Sequence, residues 1–280
     1  MQLADPSSAF HISELWLYPV KSLGGIAMDE AKLLPKGFEH DRRWMLIDEN
    51  NACITQRVFP QLALFKLSFH EIGFVITCRD VKIILPIGLY EQEEIMAQIW
   101  DDTVEVFEVS AAHSAWFSSI LKMPCRLVYF PDSKPRPVDP DYAKRQEQVS
   151  LADAFPMLII GQSSLDDLNS RLDVAVPMNR FRPNIVFTGG AAFEEDGWIQ
   201  IEMGANVLNV VKPCARCVLT TVDQDTAEKG LEPLATLSSY RKQGNKVMFG
   251  QNVLPVTIEH SIRIGDAIHV RSKKNNKIPA

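Results

Sequence analysis

The sequence predicts a mostly β protein of the α+β class. The first half contains short segments rich in β-branched and aromatic residues, each of strand length and bounded by turn-forming residues. Only three later segments show a helical pattern, at 111–123, 163–172 and 234–242. Strands and helices do not alternate as in repeated βαβ units, so a doubly wound parallel sheet is not expected.

The predicted strands of the first half follow one another closely. They are "ISELWLYPV", "RWMLIDE", "LALFKLSF", "GFVITC", "KIILPI" and "VEVFEV", between residues 12 and 109. The stretch "LIDENNACITQ" predicts a hairpin that turns at Glu49, Asn50 and Asn51, because such residues favour tight turns.

A Pro-rich, charged stretch at 129–148 predicts a long loop that connects two halves of the molecule. It follows the first helix, which Pro124 ends. A second set of elements comes next: the strand "MLIIG", the helix "SSLDDLNSRL", the strand "NIVFTG", further strands and a last helix. We therefore expect two regions, 8–128 and 129–273, that meet near residue 130.

Composition excludes several classes of protein. A formal net charge of −6 argues against a surface for nucleic acid or an anionic membrane. The N-terminus lacks the pattern of a secretory signal, and no apolar run is long enough to cross a bilayer. Five cysteines, an odd number, do not indicate a disulfide framework. We expect a cytoplasmic protein.

The pair Cys214 and Cys217 is the clearest candidate for chemistry. A zinc site needs partner ligands, but the other cysteines are isolated and the histidines form no ligand pair. A redox dithiol is disfavoured because "VLTTVD" reads as extended chain rather than a helix start. Two buried structural cysteines remain an alternative. One activated thiolate, near Arg216 and Lys212, is favoured.

Several other segments could bind an anion. Lys21 and Ser22 follow a strand and precede two glycines, which permit close approach of the backbone to a ligand. Arg42 and Arg43 begin a strand, where alternation predicts that one points inward. Solvated surface charges are the alternative for each.

Two segments of the second region add to these candidates. Arg180, Arg182 and Asn184 fall on one face by period-two counting, and arginine binds phosphate in a bidentate fashion. Ser163 and Ser164 each precede an Asp by three residues, a capping-box pattern whose helix start offers free N–H groups to an anion. Several anion-binding elements and one thiolate would suit a phosphorylated cofactor with a metal centre.

The order of these motifs resembles that of a known family. "YPVKS", "DRRWMLID", "SSLDDLNSRL", "FRPNIVF" and "CARCVLTTVD", followed by "EPLATLSSYR" and "FGQN", are similar to successive motifs of MOSC-domain proteins. The branch with the mitochondrial amidoxime-reducing component and its bacterial relatives is most similar. The resemblance covers about residues 10 to 272 and implies an N-terminal MOSC β-barrel-type region packed with a C-terminal MOSC β-barrel domain.

The resemblance also implies a cofactor and a reaction. The family reduces N-hydroxylated compounds with a molybdenum cofactor (Mo-molybdopterin), whose metal the second cysteine of the motif ligates; here that residue is Cys217. It assigns no role to Cys214. The residues that match the family's cofactor-binding positions are Lys21, Ser22, Arg42, Ser163, Ser164, Arg182 and Asn184, with Arg180 as a further candidate.

The electron source is the main departure from the family. Some bacterial relatives end in a ferredoxin domain, but no cysteine follows Cys217 here. We expect a separate electron-transfer protein (a ferredoxin, a flavodoxin or a cytochrome b5-like protein) with its own reductase. The alternative is a MOSC module without reductase activity, which carries the cofactor or transfers sulfur as a persulfide on Cys217.

Overall fold

The computed structural model describes residues 10–88, 90 and 94–274. The strands of the N-terminal region are β1 (Phe10–Leu17), β2 (Ile26–Met28), β3 (Glu30–Ala31), β4 (Leu33–Leu34), β5 (Gly37–Phe38), β6 (Trp44–Ile47), β7 (Lys66–His70), β8 (Gly73–Cys78), β9 (Val81–Pro86), β10 (Glu94–Ile99), β11 (Asp102–Glu108) and β12 (Arg126–Tyr129). Those of the C-terminal region are β13 (Met157–Gly161), β14 (Ile185–Thr188), β15 (Trp198–Met203), β16 (Asn206–Arg216), β17 (Lys242–Gln243), β18 (Lys246–Thr257), β19 (Ile262–Arg263) and β20 (Ala267–Lys273). The α-helices are α1 (Ala111–Leu121), α2 (Gln162–Asn169) and α3 (Leu234–Tyr240).

A closed barrel dominates the C-terminal region. Its strands follow the order β13-β14-β1-β20-β15-β16-β18, and pairing of β18 with β13 closes a ring of seven strands. Strands β13 and β14 run parallel, with α2 as the crossover between them, whereas the other barrel pairs are antiparallel. The predicted mostly β fold is thus confirmed, with one βαβ crossover in the described chain that the sequence did not indicate.

Strand β1 belongs to the barrel although it lies at the start of the N-terminal region. It pairs with β14 on one side and with β20 on the other, for example at Phe10 with Ile268. The longer strands of the N-terminal region form a sheet in the order β10-β11-β12-β6 and a separate sheet of β7, β8 and β9, while β2 pairs with β1, β3 with β19 and β4 with β5. One apolar core runs through both regions, with Trp44 and Phe117 on one side and Trp198 on the other.

Local predictions differ from the structure at several places. Residues 60–64 form a 3-10 helix that begins at Pro60, whereas the sequence predicted that the strand at 62–69 begins within it. Strands β2 to β5, β10 and β12 were not predicted. Helix α2 begins after Gly161 and has no side-chain cap, so the capping-box prediction for Ser163 and Ser164 is wrong. Residues 218–221 form a 3-10 helix and not an extended chain.

The predicted hairpin and loop are present. Asp48 and Ala52 bond across the turn, and the Asp48 side chain accepts from the Asn50 N–H. Residues 130–156 contain neither an α-helix nor a strand. Within the part of the chain that the structure describes, no helix is long and apolar enough to cross a bilayer.

Candidate active site

A cavity of about 510 Å³ lies where the end of β16 meets the turns before β2 and β6 and the segment before β13. Its charge is opposite in sign to that of the whole chain. The described residues that line it include seven basic side chains and one acidic side chain, Asp153. The basic residues are Lys21, Arg42, Arg57, Arg182, Lys212, Arg216 and Lys246. Such a concentration of positive charge selects an anionic ligand.

Cys217 follows the last residue of β16 and lines this cavity. Its sulfur accepts a hydrogen bond from Arg57 Nε at 3.1 Å. Neither Arg216 nor Lys212, the neighbours in sequence, makes this contact: Arg216 bonds elsewhere and the Lys212 ammonium lies 4.1 Å above the Tyr142 ring. Arg57 was not predicted, because 160 residues separate it from Cys217 in the chain.

The sulfur of Cys214 accepts a hydrogen bond from a different arginine, Arg216. Arg216 Nη1 donates to the Cys214 sulfur at 3.0 Å, while Nη2 donates to the Phe181 carbonyl at 2.7 Å. Both cysteines are half-buried, line the same cavity and are free thiols. No group of three His, Cys, Asp or Glu residues suited to a metal occurs in the described ranges.

Two arginines that line the cavity, Arg42 and Arg182, stack on the buried ring of Tyr18. The guanidinium of Arg42 lies 4.2 Å from the centre of the Tyr18 ring, and that of Arg182 lies 4.3 Å from it. Burial raises the pKa of Tyr18 to about 12 and lowers the pKa of Arg182 to about 10. Gly25 packs against this ring, since an added Cβ would lie 2.5 Å from Tyr18 Cε1. This glycine therefore makes room for the ring.

A buried carboxylate fixes the orientation of the stack. Asp41 accepts the Tyr18 N–H at 2.9 Å, the Asn184 amide at 3.2 Å and Arg42 Nη1 at 2.5 Å. Burial raises the pKa of Asp41, and the charge and hydrogen bond of Arg42 oppose that shift. Arg42 also donates to Asn184 Oδ1 at 2.9 Å. The predicted residues Arg42, Arg182 and Asn184 are thus joined in one network.

Three predicted residues have left-handed backbone conformations. The φ angles of Ser22, Arg42 and Arg182 are 68°, 48° and 54°. This conformation is uncommon outside glycine and costs of order 1–3 kcal/mol when it is imposed on another residue. All three line the cavity, so the site includes backbone positions of this strained type.

Asp153 connects the two regions across the cavity. Its carboxylate accepts Lys21 Nζ at 2.5 Å, Arg57 Nη2 at 2.8 Å and the Trp100 indole N–H at 3.2 Å. Partial desolvation by the cavity walls would by itself raise the pKa of Asp153, but the charges of Lys21 and Arg57 hold that pKa well below its usual value. Lys21 also donates to the Leu151 carbonyl at 2.8 Å.

Arg136 fixes the backbone of the segment that contains Asp153 through hydrogen bonds. Its guanidinium donates to the carbonyls of Ser150, Ala152 and Asp153 and to the Asp102 carboxylate. The long segment that precedes β13 is therefore fixed at the point where it forms the cavity wall.

Ser163 and Ser164 do not line the cavity. The Ser164 hydroxyl donates to the buried Glu195 carboxylate at 2.9 and 3.0 Å, and the N–H of Gly161 donates to Glu195 Oε1 at 3.1 Å. Ser163 donates to the Gly190 carbonyl at 3.1 Å. The start of α2 does attract an anion, but that anion is the carboxylate of Glu195. The structure therefore does not bring either serine, predicted to bind the cofactor, to the cavity.

Arg180 is also outside the cavity lining. It lies in a 3-10 helix, Met178–Arg180, so the period-two argument that placed it beside Arg182 does not apply. Its guanidinium forms an ion pair with Asp223 at 2.8 Å. Arg180 therefore stabilises the turn after Cys217 and does not face the cavity.

The cavity contains further residues that the sequence did not reveal. Arg57, Trp100, Asp153 and Lys246 lie in turns or at strand ends far apart in the chain. Of these four residues, Arg57 is the one that the sequence offered some reason to consider. It follows the predicted hairpin in the polar stretch "TQR", next to a strand that leads to the site.

Comparison with known proteins gives two family matches that cover most of the chain. Residues 9–124 match the model of the MOSC N-terminal beta barrel domain, and residues 146–269 match that of the MOSC domain. Mitochondrial amidoxime-reducing component 1 of Mus musculus is 33% identical over 279 residues, which cover 92% of this chain and 82% of that protein.

Two further relatives extend the comparison. Mitochondrial amidoxime reducing component 2 of Bos taurus is 34% identical over 241 residues, 82% of this chain and 72% of that protein. Molybdenum cofactor sulfurase of Oryza sativa subsp. japonica is 30% identical over 268 residues, 87% of this chain but 32% of that protein. With its closed barrel and its thiol-bearing cavity, the chain belongs to the family of MOSC-domain proteins that includes the mitochondrial amidoxime-reducing components.

Proposed function

We propose that this protein is a molybdenum-cofactor-dependent reductase of N-hydroxylated compounds such as amidoximes and hydroxylamino bases. The observation that carries the proposal is a thiol, Cys217, that opens into a cavity with seven basic side chains and one acidic side chain. The names of the similar amidoxime-reducing components support the choice of substrate.

The residues of the cavity fit such a cofactor. Thiolate sulfur is a soft ligand of the kind that binds molybdenum in preference to hard cations. A pterin phosphate requires several hydrogen-bond donors with positive charge, and Lys21, Arg42 and Arg182 provide them at one wall. Ser22 and Asn184 add neutral polar groups there. A cavity of about 510 Å³ is of the size that a cofactor requires.

Each residue has a defined task in this proposal. Cys217 ligates the metal, and Arg57 supports its sulfur through the 3.1 Å hydrogen bond. Arg42 and Arg182 hold the anionic end of the cofactor, with Tyr18 between them. When bound, the cofactor supplies the chemistry by which two electrons and two protons convert an N–OH group to N–H and release water.

The electrons come from a separate protein in this proposal. The sequence has neither the glycine pattern of a dinucleotide-binding turn nor the cysteine spacing of an iron–sulfur protein or a haem attachment site. A ferredoxin, a flavodoxin or a cytochrome b5-like protein, each with its reductase, would suit. The contact would be transient, with a buried area of about 1,200 Å² or less.

The second candidate function is sulfur transfer or delivery of the cofactor, because the rice relative is a molybdenum cofactor sulfurase. In that case Cys217 would carry a persulfide, or the cavity would hold the cofactor for delivery. A thiol beside a guanidinium suits either role.

The two functions are separated by Cys217→Ser, with Cys214→Ser as the matched control. We expect purified wild type to contain molybdenum and pterin and to reduce an amidoxime with reduced viologen but not with NADPH alone. Cys217→Ser should lose the reduction and most of the metal while it keeps the folded structure, since a hydroxyl is a poor ligand for a soft metal. Cys214→Ser should retain most of both.

Equal loss in the two cysteine variants would contradict a single sulfur ligand. Sulfane sulfur on wild type, without turnover of the amidoxime, would favour the sulfur-transfer function. Turnover with NADPH alone would show that the chain holds a further redox group.

A further inference from the structure

Trp100 has an unfavourable backbone conformation for its residue type. It lies in the tight turn between β10 (Glu94–Ile99) and β11 (Asp102–Glu108), and its φ angle is 54°. Glycine and asparagine are the usual residues in left-handed turn positions, because a large side chain there crowds the backbone. A tryptophan at this position indicates a constraint other than the stability of the turn.

The indole is also unusually exposed for a large aromatic ring. Trp100 is 41% exposed and lines the cavity that contains Cys217. Burial of an aromatic side chain stabilises a fold, so the exposed part of this ring contributes little to the core. An exposed aromatic ring at the mouth of a cavity is typical of a ligand contact.

Two charged residues of the site hold the ring in place. The Arg57 guanidinium stacks on one face at 4.0 Å from the ring centre, and Asp153 accepts the indole N–H at 3.2 Å. Arg57 simultaneously donates to the Cys217 sulfur. One guanidinium thus contacts both the ring and the sulfur, and two contacts within the protein orient the indole.

We propose that the exposed surface of Trp100 is a stacking platform that makes this residue a determinant of substrate specificity. It favours N-hydroxylated substrates whose N–OH group is attached to an aromatic ring over those with a saturated ring of the same size. Aromatic stacking adds binding free energy beyond the burial of area, and a saturated ring does not gain it. This role deepens the proposed function and rests on it.

The test compares two amidoximes that differ only in the ring, phenyl in one and cyclohexyl in the other. With reduced viologen as donor, we expect wild type to favour the phenyl compound in kcat/KM by about 2- to 10-fold. Trp100→Phe should keep this preference because it keeps an aromatic face. In Trp100→Asn the ratio should fall towards one.

Stability separates this role from a structural one. Asparagine suits a left-handed turn, and this offsets the loss of the ring's contacts with Arg57 and Asp153, so we expect Trp100→Asn to have a melting temperature close to that of wild type. A lower melting temperature with an unchanged phenyl-to-cyclohexyl ratio would show that the ring is structural, and would overturn the proposal.

A binding measurement keeps the test independent of turnover. Among the residues whose exposure the structure describes, Trp100 is the one tryptophan classed among the exposed large apolar side chains. We expect the phenyl amidoxime to quench tryptophan fluorescence in wild type more strongly than the cyclohexyl compound, and Trp100→Phe to remove this difference. If wild type reduces neither compound but shows the difference in quenching, the proposed function fails and the platform stands. Equal quenching by both compounds would refute the platform itself.

Discussion

Two regions of the molecule have hydrogen-bond donors that suit an anion, and in one of them a glutamate of the protein already accepts from these donors. At the start of α2, the buried carboxylate of Glu195 accepts the Gly161 N–H and the Ser164 hydroxyl. At the cavity near Cys217, seven basic side chains face one carboxylate, and that carboxylate is half-exposed. Donor groups in a sequence thus indicate affinity for an anion, while only the structure shows whether the protein supplies that anion itself.

The largest expected effect is at the filled site. Glu195→Ala leaves a cavity and removes the acceptor of two buried donors, so we expect the free energy of unfolding to fall by about 2–4 kcal/mol. Cofactor content of the folded protein should not change, because Glu195 is not part of the cavity lining. Chemical denaturation and molybdenum analysis measure the two quantities.

The neighbouring Glu194→Ala is a matched control for Glu195→Ala. Glu194 forms an ion pair with Lys273 at the surface, and its loss should change the free energy of unfolding by no more than about 1 kcal/mol. If Glu195→Ala lost cofactor while its free energy of unfolding stayed unchanged, the start of α2 would be part of the binding site. The distinction between the two regions would then be wrong.

A smaller effect is expected at the open site. Replacement of Lys21, Arg42 or Arg182 by Ala should weaken retention of the cofactor by about 1.5–3 kcal/mol each, the range for lost charged hydrogen bonds. Arg180→Ala is the control, because Arg180 pairs with Asp223 outside the cavity. Molybdenum and pterin content after dialysis decides the matter. Undiminished content in the first three variants would make these residues structural.

The smallest effect concerns pH. Burial raises the pKa of Glu195, although the hydrogen bonds from Gly161 and Ser164 oppose this shift. A raised carboxyl pKa favours the protonated folded state, so its contribution to stability is complete at low pH and is lost as the pH rises through the folded value. The difference in unfolding free energy, wild type minus Glu195→Gln, should therefore fall as the pH rises above the ordinary glutamate pKa of about 4. A rise with pH would mean that the carboxylate form is the stabilised one.

The sequence predicted the elements of the fold better than their connections. Eight strands, the three helices and the hairpin that turns at Glu49, Asn50 and Asn51 were recognised, because each depends on local periodicity or turn chemistry. The place of β1 in the barrel and the βαβ crossover were not, since strand pairing depends on residues far apart in the chain. The 3-10 helix at 218–221 was missed because β-branched residues dominate its sequence.

The same distinction holds for the residues of the site: those in short motifs were predicted, and those that depend on distant contacts were not. Cys217, Lys21, Arg42, Arg182 and Asn184 were found from short motifs, and the structure brings them to one cavity. Arg57, Trp100 and Asp153 were not found, because they reach Cys217 only through contacts between the two regions. Ser164 lies outside the cavity, since the pattern at the start of its helix was recognised while Glu195, 31 residues later, could not be placed beside it.

The pairing of β1 with β20 determines when this protein can fold. Phe10 and His11 must meet Ile268 and Ala267, so more than 250 residues separate the partners along the chain. Contacts of such long range slow folding, because the entropy of a large loop is lost before the contacts form. On the ribosome, β1 emerges first and must wait for the last barrel strand. Its apolar face stays without this partner until then, and this interval is where the nascent chain is most exposed to aggregation.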